Sequence, residues 1–187
     1  MPSFPNLDAP LMGAGVRLRF ESERDIPEIL IAHQEDPELF IRLGLERPPS
    51  GAELGRRIEE ADSRRGEGTG VRFTILTPGD DTCRGQMDVH RVDWDHLRAE
   101  AGVWVMPGRR GHGLASAALP VLGRWLFAAC GLQRLELFTE PDNVPMISAA
   151  RRAGFTEEGV LRAYLRERGQ RVDVVVLSLL PSDLVQP

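Results

Sequence analysis

The segment from Val103 to Ala115 constrains this chain more than any other. An apolar run, Val103-Trp104-Val105-Met106, breaks at Pro107-Gly108 and passes through Arg109-Arg110-Gly111-His112-Gly113 into Leu114-Ala115. A strand therefore enters a glycine-rich turn, and the turn opens a helix. Gly111 and Gly113 lack Cβ atoms, so the chain can bend tightly and bring main-chain N–H groups close to a ligand. The new helix adds its own unsatisfied N–H groups and the positive end of its dipole at the same place. With Arg109 and Arg110 beside it, the turn is suited to a diphosphate. The plain alternative is a surface turn whose arginines are merely solvated.

The surrounding pattern decides which fold can carry such a turn. Residues 16–20 alternate Val, Leu and Phe with Arg, the period of a half-buried strand. Residues 25–33 read as a helix. A second helix starts after Pro48-Pro49, where Ser50 and Glu53 form a capping box, and runs to about Ser63. Strands are expected at residues 71–76, 85–92 and 98–106, with turn chemistry at Pro78-Gly79-Asp80-Asp81. Three strands in series with short connections imply an antiparallel meander. Then come a helix over 114–129, interrupted in principle by Pro120, a strand over 135–139, a helix over 144–153 and two closing strands. The last, residues 172–180, is almost continuously apolar and must be well covered. With no internal repeat and no linker, the 187 residues read as one α+β domain. Residues 1–13 are expected as a loose, proline-rich lead-in and 181–187 as a C-terminal tail.

Composition removes several chemistries. All 23 basic residues are arginine. Without lysine there is no Schiff base to a pyridoxal cofactor and no P-loop or kinase phosphate-binding lysine. Cys83 and Cys130 stand far apart, outside any CxxC pair, so no metal site and no disulfide framework is expected. HExxH and GxSxG are missing. A net charge of −5 argues against a protein that coats nucleic acid. No segment has the length and apolarity of a membrane span, so a cytoplasmic location is expected.

Two diphosphate ligands compete for the turn. Gly111-x-Gly113 followed by Ser116 loosely resembles the GxGxxG turn of dinucleotide-binding folds, with Glu136 or Glu140 near the distance of a ribose-binding acid. That fold needs repeated βαβ units, and a meander precedes this turn. Arg110-Gly111-His112-Gly113-Leu114-Ala115 instead resembles the Q/R-x-x-G-x-G/A loop of the GNAT superfamily of N-acetyltransferases. Asn143, Gly154-Phe155 and residues 158–162 are similar to the stretch that marks RimJ/RimL-type members, and residues 173–180 and 16–19 to their closing and first strands.

The resemblance implies a mixed central sheet of about seven strands flanked by about four helices, splayed between the fourth strand (near 101–106) and the fifth (near 135–139). It implies acetyl-coenzyme A as cofactor, with main-chain groups of Val103, Trp104 and Val105 pairing with the pantetheine like an added strand. The diphosphate would sit on Arg109, Arg110, Gly111, His112, Gly113, Leu114 and Ala115, with Asn143 nearby; no metal is required. The acceptor is a primary amine, small or at a protein N-terminus; a homodimer is left open. An α-amine, with a reference pKa of about 7.7–8.0 against about 10.4 for lysine, needs little help from a base. Glu100, Glu136 and Glu140 are the carboxylates near the expected cleft, and Glu100 and Glu136 join Asn143 as candidate catalytic residues. His112, inside the phosphate loop, is discounted as a base. The pattern breaks at Met146 and Ala150, where relatives carry a serine and a tyrosine able to give the leaving thiolate a proton. Ser148 lies on another face of the same helix, and Tyr164 falls beyond it. An acyl-coenzyme A-binding module with little turnover therefore stays open. Acceptor specificity is expected from residues 34–49 and 161–171.

Overall fold

Alternation along the chain becomes a single eight-stranded sheet in a computed structural model that describes residues 3–13, 15–167 and 169–184. Its strands are β1 (Leu11–Gly13), β2 (Val16–Phe20), β3 (Val71–Thr77), β4 (Asp80–Asp93), β5 (Arg98–Val105), β6 (Arg134–Thr139), β7 (Thr156–Glu167) and β8 (Gln170–Leu179). Their spatial order is β1-β2-β3-β4-β5-β6-β8-β7. Every neighbouring pair is antiparallel except β5–β6, which is parallel. The α-helices among the described residues are α1 (Ile26–Glu35), α2 (Leu39–Arg42), α3 (Gly51–Glu67), α4 (Leu114–Ala128) and α5 (Val144–Arg152). The expected meander is β3-β4-β5.

Side chains alternate across a strand, so each strand feeds two layers. Phe73, Ile75, Met87, Val89, Ala101 and Leu137 form one buried core with Ala118, Leu122 and Leu126 of α4 and Ala150 of α5. On the other face α3 packs on β3 and α1 on β4, burying Ile29, Leu54 and Ile58. A buried ion pair stitches this layer to the sheet: Arg19 Nη2 and Nη1 donate to the Asp25 carboxylate at 2.5 and 2.8 Å, and the Thr74 hydroxyl donates to it at 2.7 Å.

The capping box forms as expected. Ser50 N donates to Glu53 Oε2 at 2.8 Å, and Glu53 N donates to Ser50 Oγ at 3.3 Å. Hydrogen bonds from Arg47 and Ser50 hold the Glu53 carboxyl down to about 2. That helix outruns its expected end because Gly66 stays helical; the stop is Gly68, left-handed at φ 72°. The α4 helix likewise continues through Pro120.

Three expectations need correction. Among the described residues the strands number eight and the α-helices five, against about seven and about four; the α+β class holds, and β1 and α2 are the additions. Residues 3–13 are not loose: β1 pairs with β2, and buried Phe4 lies 5.4 Å from Trp94 and 5.9 Å from Trp125, ring centre to ring centre. At the other end Leu184 packs against the main core, while residues 185–187, the rest of the expected tail, lie outside the described residues.

Candidate active site

The parallel pair is where the sheet opens. β5 and β6 share only three rungs, Arg98 with Arg134, Ala99 with Leu135 and Glu100 with Glu136. Beyond Glu100, β5 keeps pairing with β4 as far as Val105, while β6 keeps pairing with β8. Residues 101–105 and 137–139 therefore face each other across a gap, and the main-chain groups on that side of β5 lack a strand partner. A cavity of about 550 Å³ occupies this opening. Its floor includes Asp88, His90 and Trp104, its far wall Phe138, Asn143 and Met146.

The glycine turn closes the end of β5. Gly111 and Gly113 both have φ 78°, a region that side-chain-bearing residues rarely adopt. A Cβ placed on Gly108 or Gly111 would meet no atom within 4 Å, so open space lies in front of the turn. His112 Nδ1 contacts Arg110 O at 2.9 Å, and the ring is exposed. The Arg109 main-chain N–H donates to Met106 O at 2.8 Å, and its guanidinium makes no hydrogen bond or ion pair among the described residues. Arg110 is engaged: its Nε donates to Val105 O at 3.2 Å, and Nη1 lies 2.7 Å from Asp36 at the end of α1. Burial pushes the Asp36 carboxyl up, but hydrogen bonds from Arg110 and Arg42 outweigh it and hold it below its ordinary value.

A sheet splayed at its one parallel pair, with a glycine turn and helix start at the mouth, is matched by known proteins. The acetyltransferase (GNAT) domain family matches residues 16–156. This chain is a member of the GNAT acetyltransferase family. It is 28% identical to the uncharacterized N-acetyltransferase p20 of Bacillus licheniformis over 158 residues, 84% of this chain and 89% of that protein. Mycobacterium smegmatis RimJ, solved with a coenzyme A disulfide, superposes with a TM-score of 0.83 at 25% identity, over 95% of this chain and 88% of RimJ. RimL, the ribosomal L7/L12 α-N-protein acetyltransferase solved with coenzyme A, shares the fold at a TM-score of 0.79 and 18% identity, over 92% and 98% of the two chains. The dinucleotide alternative falls with the topology, since β5-α4-β6 is the sheet's one parallel crossover among the described residues.

Within this GNAT scaffold the candidate acids sit at the closed end of the gap. Glu100 and Glu136 are register partners, and both line a second cavity of about 520 Å³ with Phe138 and Tyr164, whose rings stack at 5.6 Å. Glu136 is held by Arg134 Nε at 2.7 Å. Glu100 is gripped at both oxygens, by His90 Nε2 at 3.1 Å and Arg91 Nη1 at 2.9 Å. Two consecutive residues of a flat strand could not both reach it. Here a register shift follows His90, and Arg91 adopts φ 49°, which turns both side chains to one carboxylate. Hydrogen bonding to Asp88, then to Glu100, pushes the His90 imidazole up to about 9. Both contacts, Nδ1 to Asp88 Oδ2 and Nε2 to Glu100 Oε1, lie at 3.1 Å, an ion-pair distance, and Nδ1 has no aligned hydrogen bond.

The remaining sequence candidates divide. Asn143 both caps α5, accepting from Met146 N at 3.3 Å, and lines the gap, with its Nδ2 donating to Thr139 Oγ1 at 2.9 Å. Met146 faces the gap, whereas Ala150 is fully buried in the core. Glu140 follows β6 and its carbonyl accepts from Asn143 N. Sequence reading missed His90, which needed the β4–β5 register to become visible. It also missed Arg57 and Arg64, which line the gap from α3; their i, i+7 spacing on one helical face was the available signal. Neither thiol is a nucleophile candidate, because burial pushes Cys83 and Cys130 both up to about 12.

Proposed function

We propose that this protein is an acetyl-coenzyme A-dependent N-acetyltransferase whose acceptor is the α-amine at a protein or peptide N-terminus. The three-rung β5–β6 pairing carries the reading, since it leaves an unpaired strand edge leading straight to a helix-opening glycine turn. The residues present fit the coenzyme. Unpaired main-chain groups of Val103, Trp104 and Val105 suit the amide-bearing pantetheine. The N–H groups over 111–115, in open space and at a helix start, suit the diphosphate, with Arg109 unpaired beside them. Arg110 acts through the turn, tying it to Asp36.

When bound, the coenzyme supplies an acetyl thioester, an activated acyl donor. An N–H at the unpaired β5 edge would stabilise negative charge developing on its carbonyl oxygen. Attack is direct, because both thiols are held protonated and cannot relay the acyl group. The acceptor nitrogen must arrive neutral, and an α-amine with a pKa of about 7.7–8.0 does so with little assistance. Its proton leaves through water at the gap. Glu100, gripped by two cationic side chains, anchors that water and orients it; His90, protonated through neutral pH, donates and does not accept. Since Met146 and Ala150 carry no proton, the departing sulfur takes one from solvent. The preference for an N-terminal α-amine draws on the likeness to RimJ and RimL.

The second reading, a coenzyme-binding module with little turnover, rests on Met146 at the gap. Free-thiol release from acetyl-coenzyme A, followed over a panel of peptides and small amines, separates the two. Release above the solution rate, with mass added at the α-amine, is the expected result. Tight coenzyme binding without release would favour the module, and absence of binding would remove both readings.

A further inference from the structure

The gap has a roof that the transfer chemistry does not use. Residues of α2 and α3 close the cavity from the side opposite α4, and that roof is basic. Arg42, Arg57, Arg64 and Arg72 line the cavity together with His90, against Glu60 and Asp88. The charges are not equally spent. Arg42 is held by Asp36 at 2.5 Å, and Arg72 lies 3.4 Å from both Glu21 and Asp88. Arg64 reaches Asp88 only at 3.8 Å, so one carboxylate is shared among two guanidiniums and His90. The guanidinium of Arg57, half-buried on α3, makes no hydrogen bond or ion pair among the described residues. Its charge is felt nearby: burial first, and Arg57 second, hold the His33 imidazole below its ordinary value.

A guanidinium left unpaired in a concave, partly dehydrated site is a ready partner for a carboxylate, which it can grip through two parallel N–H donors. We infer that the acceptor carries a carboxylate a short distance from its reactive amine, and that Arg57, with Arg64 beside it one helical face along, selects for it. This deepens the acetyltransferase reading and rests on it. Two sources share the chemistry: an acidic side chain near the start of a peptide, or a small amino-carboxylate.

The test measures kcat/KM with full-length protein and acetyl-coenzyme A for peptides of one N-terminal residue followed by Glu-Asp, by Gln-Asn or by Arg-Arg. Small amines with and without a carboxylate form a separate arm. An acidic acceptor should exceed its amide counterpart by about tenfold in at least one arm, and the arm in which it does so identifies the source; added salt should narrow the ratio. Arg57→Gln should shrink that ratio through a higher KM for the acidic acceptor, and Arg57→Glu should turn the preference toward the basic peptide. Because Arg57 has no internal partner, both variants should melt with the parent. Equal rates for acidic and amide acceptors in both arms, or an unchanged ratio in Arg57→Gln, would overturn the inference while leaving acetyl transfer standing. Failure of every amine to release thiol would instead remove the reading beneath it.

Discussion

At Asp25 a single carboxylate is fully buried and satisfied by Arg19, Thr74 and the Ser22 main chain at once. Removing it strands a guanidinium beneath α1. Asp25→Ala should cost about 3–5 kcal/mol in urea unfolding, the range for breaking a buried pair from one side; a loss below 1 kcal/mol would mean that Arg19 finds another partner. His90 makes a pH-dependent contribution of known sign. Its folded pKa of about 9 lies above an unfolded value of about 6.5, so the stabilisation is whole below pH 6.5 and is lost as pH rises through 9. Cys83 and Cys130 add to the same fall near its upper end, because their unfolded value is about 8.5 and burial holds both at about 12 in the fold. Between pH 6.5 and 9 the His90 contribution should fall by up to about 3 kcal/mol, at about 1.4 kcal/mol per pH unit, and the Tm should drop with it by several degrees. His90→Gln should markedly lessen that fall, and an identical slope in the variant would contradict the assignment.

Among the elements, the turn between β5 and α4 was legible because its chemistry is local: glycines, a strand before and a helix after. The contact between Arg110 and Asp36 was not, because Asp36 is supplied by the end of α1, far away in sequence. The sequence suggests a phosphate-binding arginine, and the contact with Asp36 at 2.7 Å offers a second role, a tether for the turn. The two roles predict opposite outcomes for Asp36→Asn. If Arg110 supports the turn, Asp36→Asn and Arg110→Ala should each weaken coenzyme A binding several-fold in calorimetry. If Arg110 binds phosphate directly, Asp36→Asn frees it and binding tightens. The missed elements have similar physical origins. Three residues, Leu11–Gly13, are too few to show a period, and they form a strand only because β2 offers an edge. The short α2 helix lies within residues 34–49, where no helix was expected, with Leu39 buried against Ala32 and Met106, a contact no local pattern reveals. The helix expected to stop near Ser63 runs on through Gly66 to Glu67, since a lone helical glycine costs only about 1 kcal/mol.

Over the whole molecule, two layers of helix hold a sheet that would otherwise be continuous, and the function proposed here depends on its one discontinuity. The layers also separate two tasks. The α4 side presents the glycine turn, and the α1–α3 side presents the arginine roof, so donor and acceptor can approach the same gap from different faces of the sheet. Amide hydrogen exchange with coenzyme A, and with its nucleotide portion alone, tests this arrangement most directly. Coenzyme A should slow exchange both at residues 102–105 of β5 and at residues 111–115, whereas the nucleotide portion should protect only the second set. Protection confined to the turn with both ligands, leaving the open edge of β5 exchanging as in the free protein, would contradict the account.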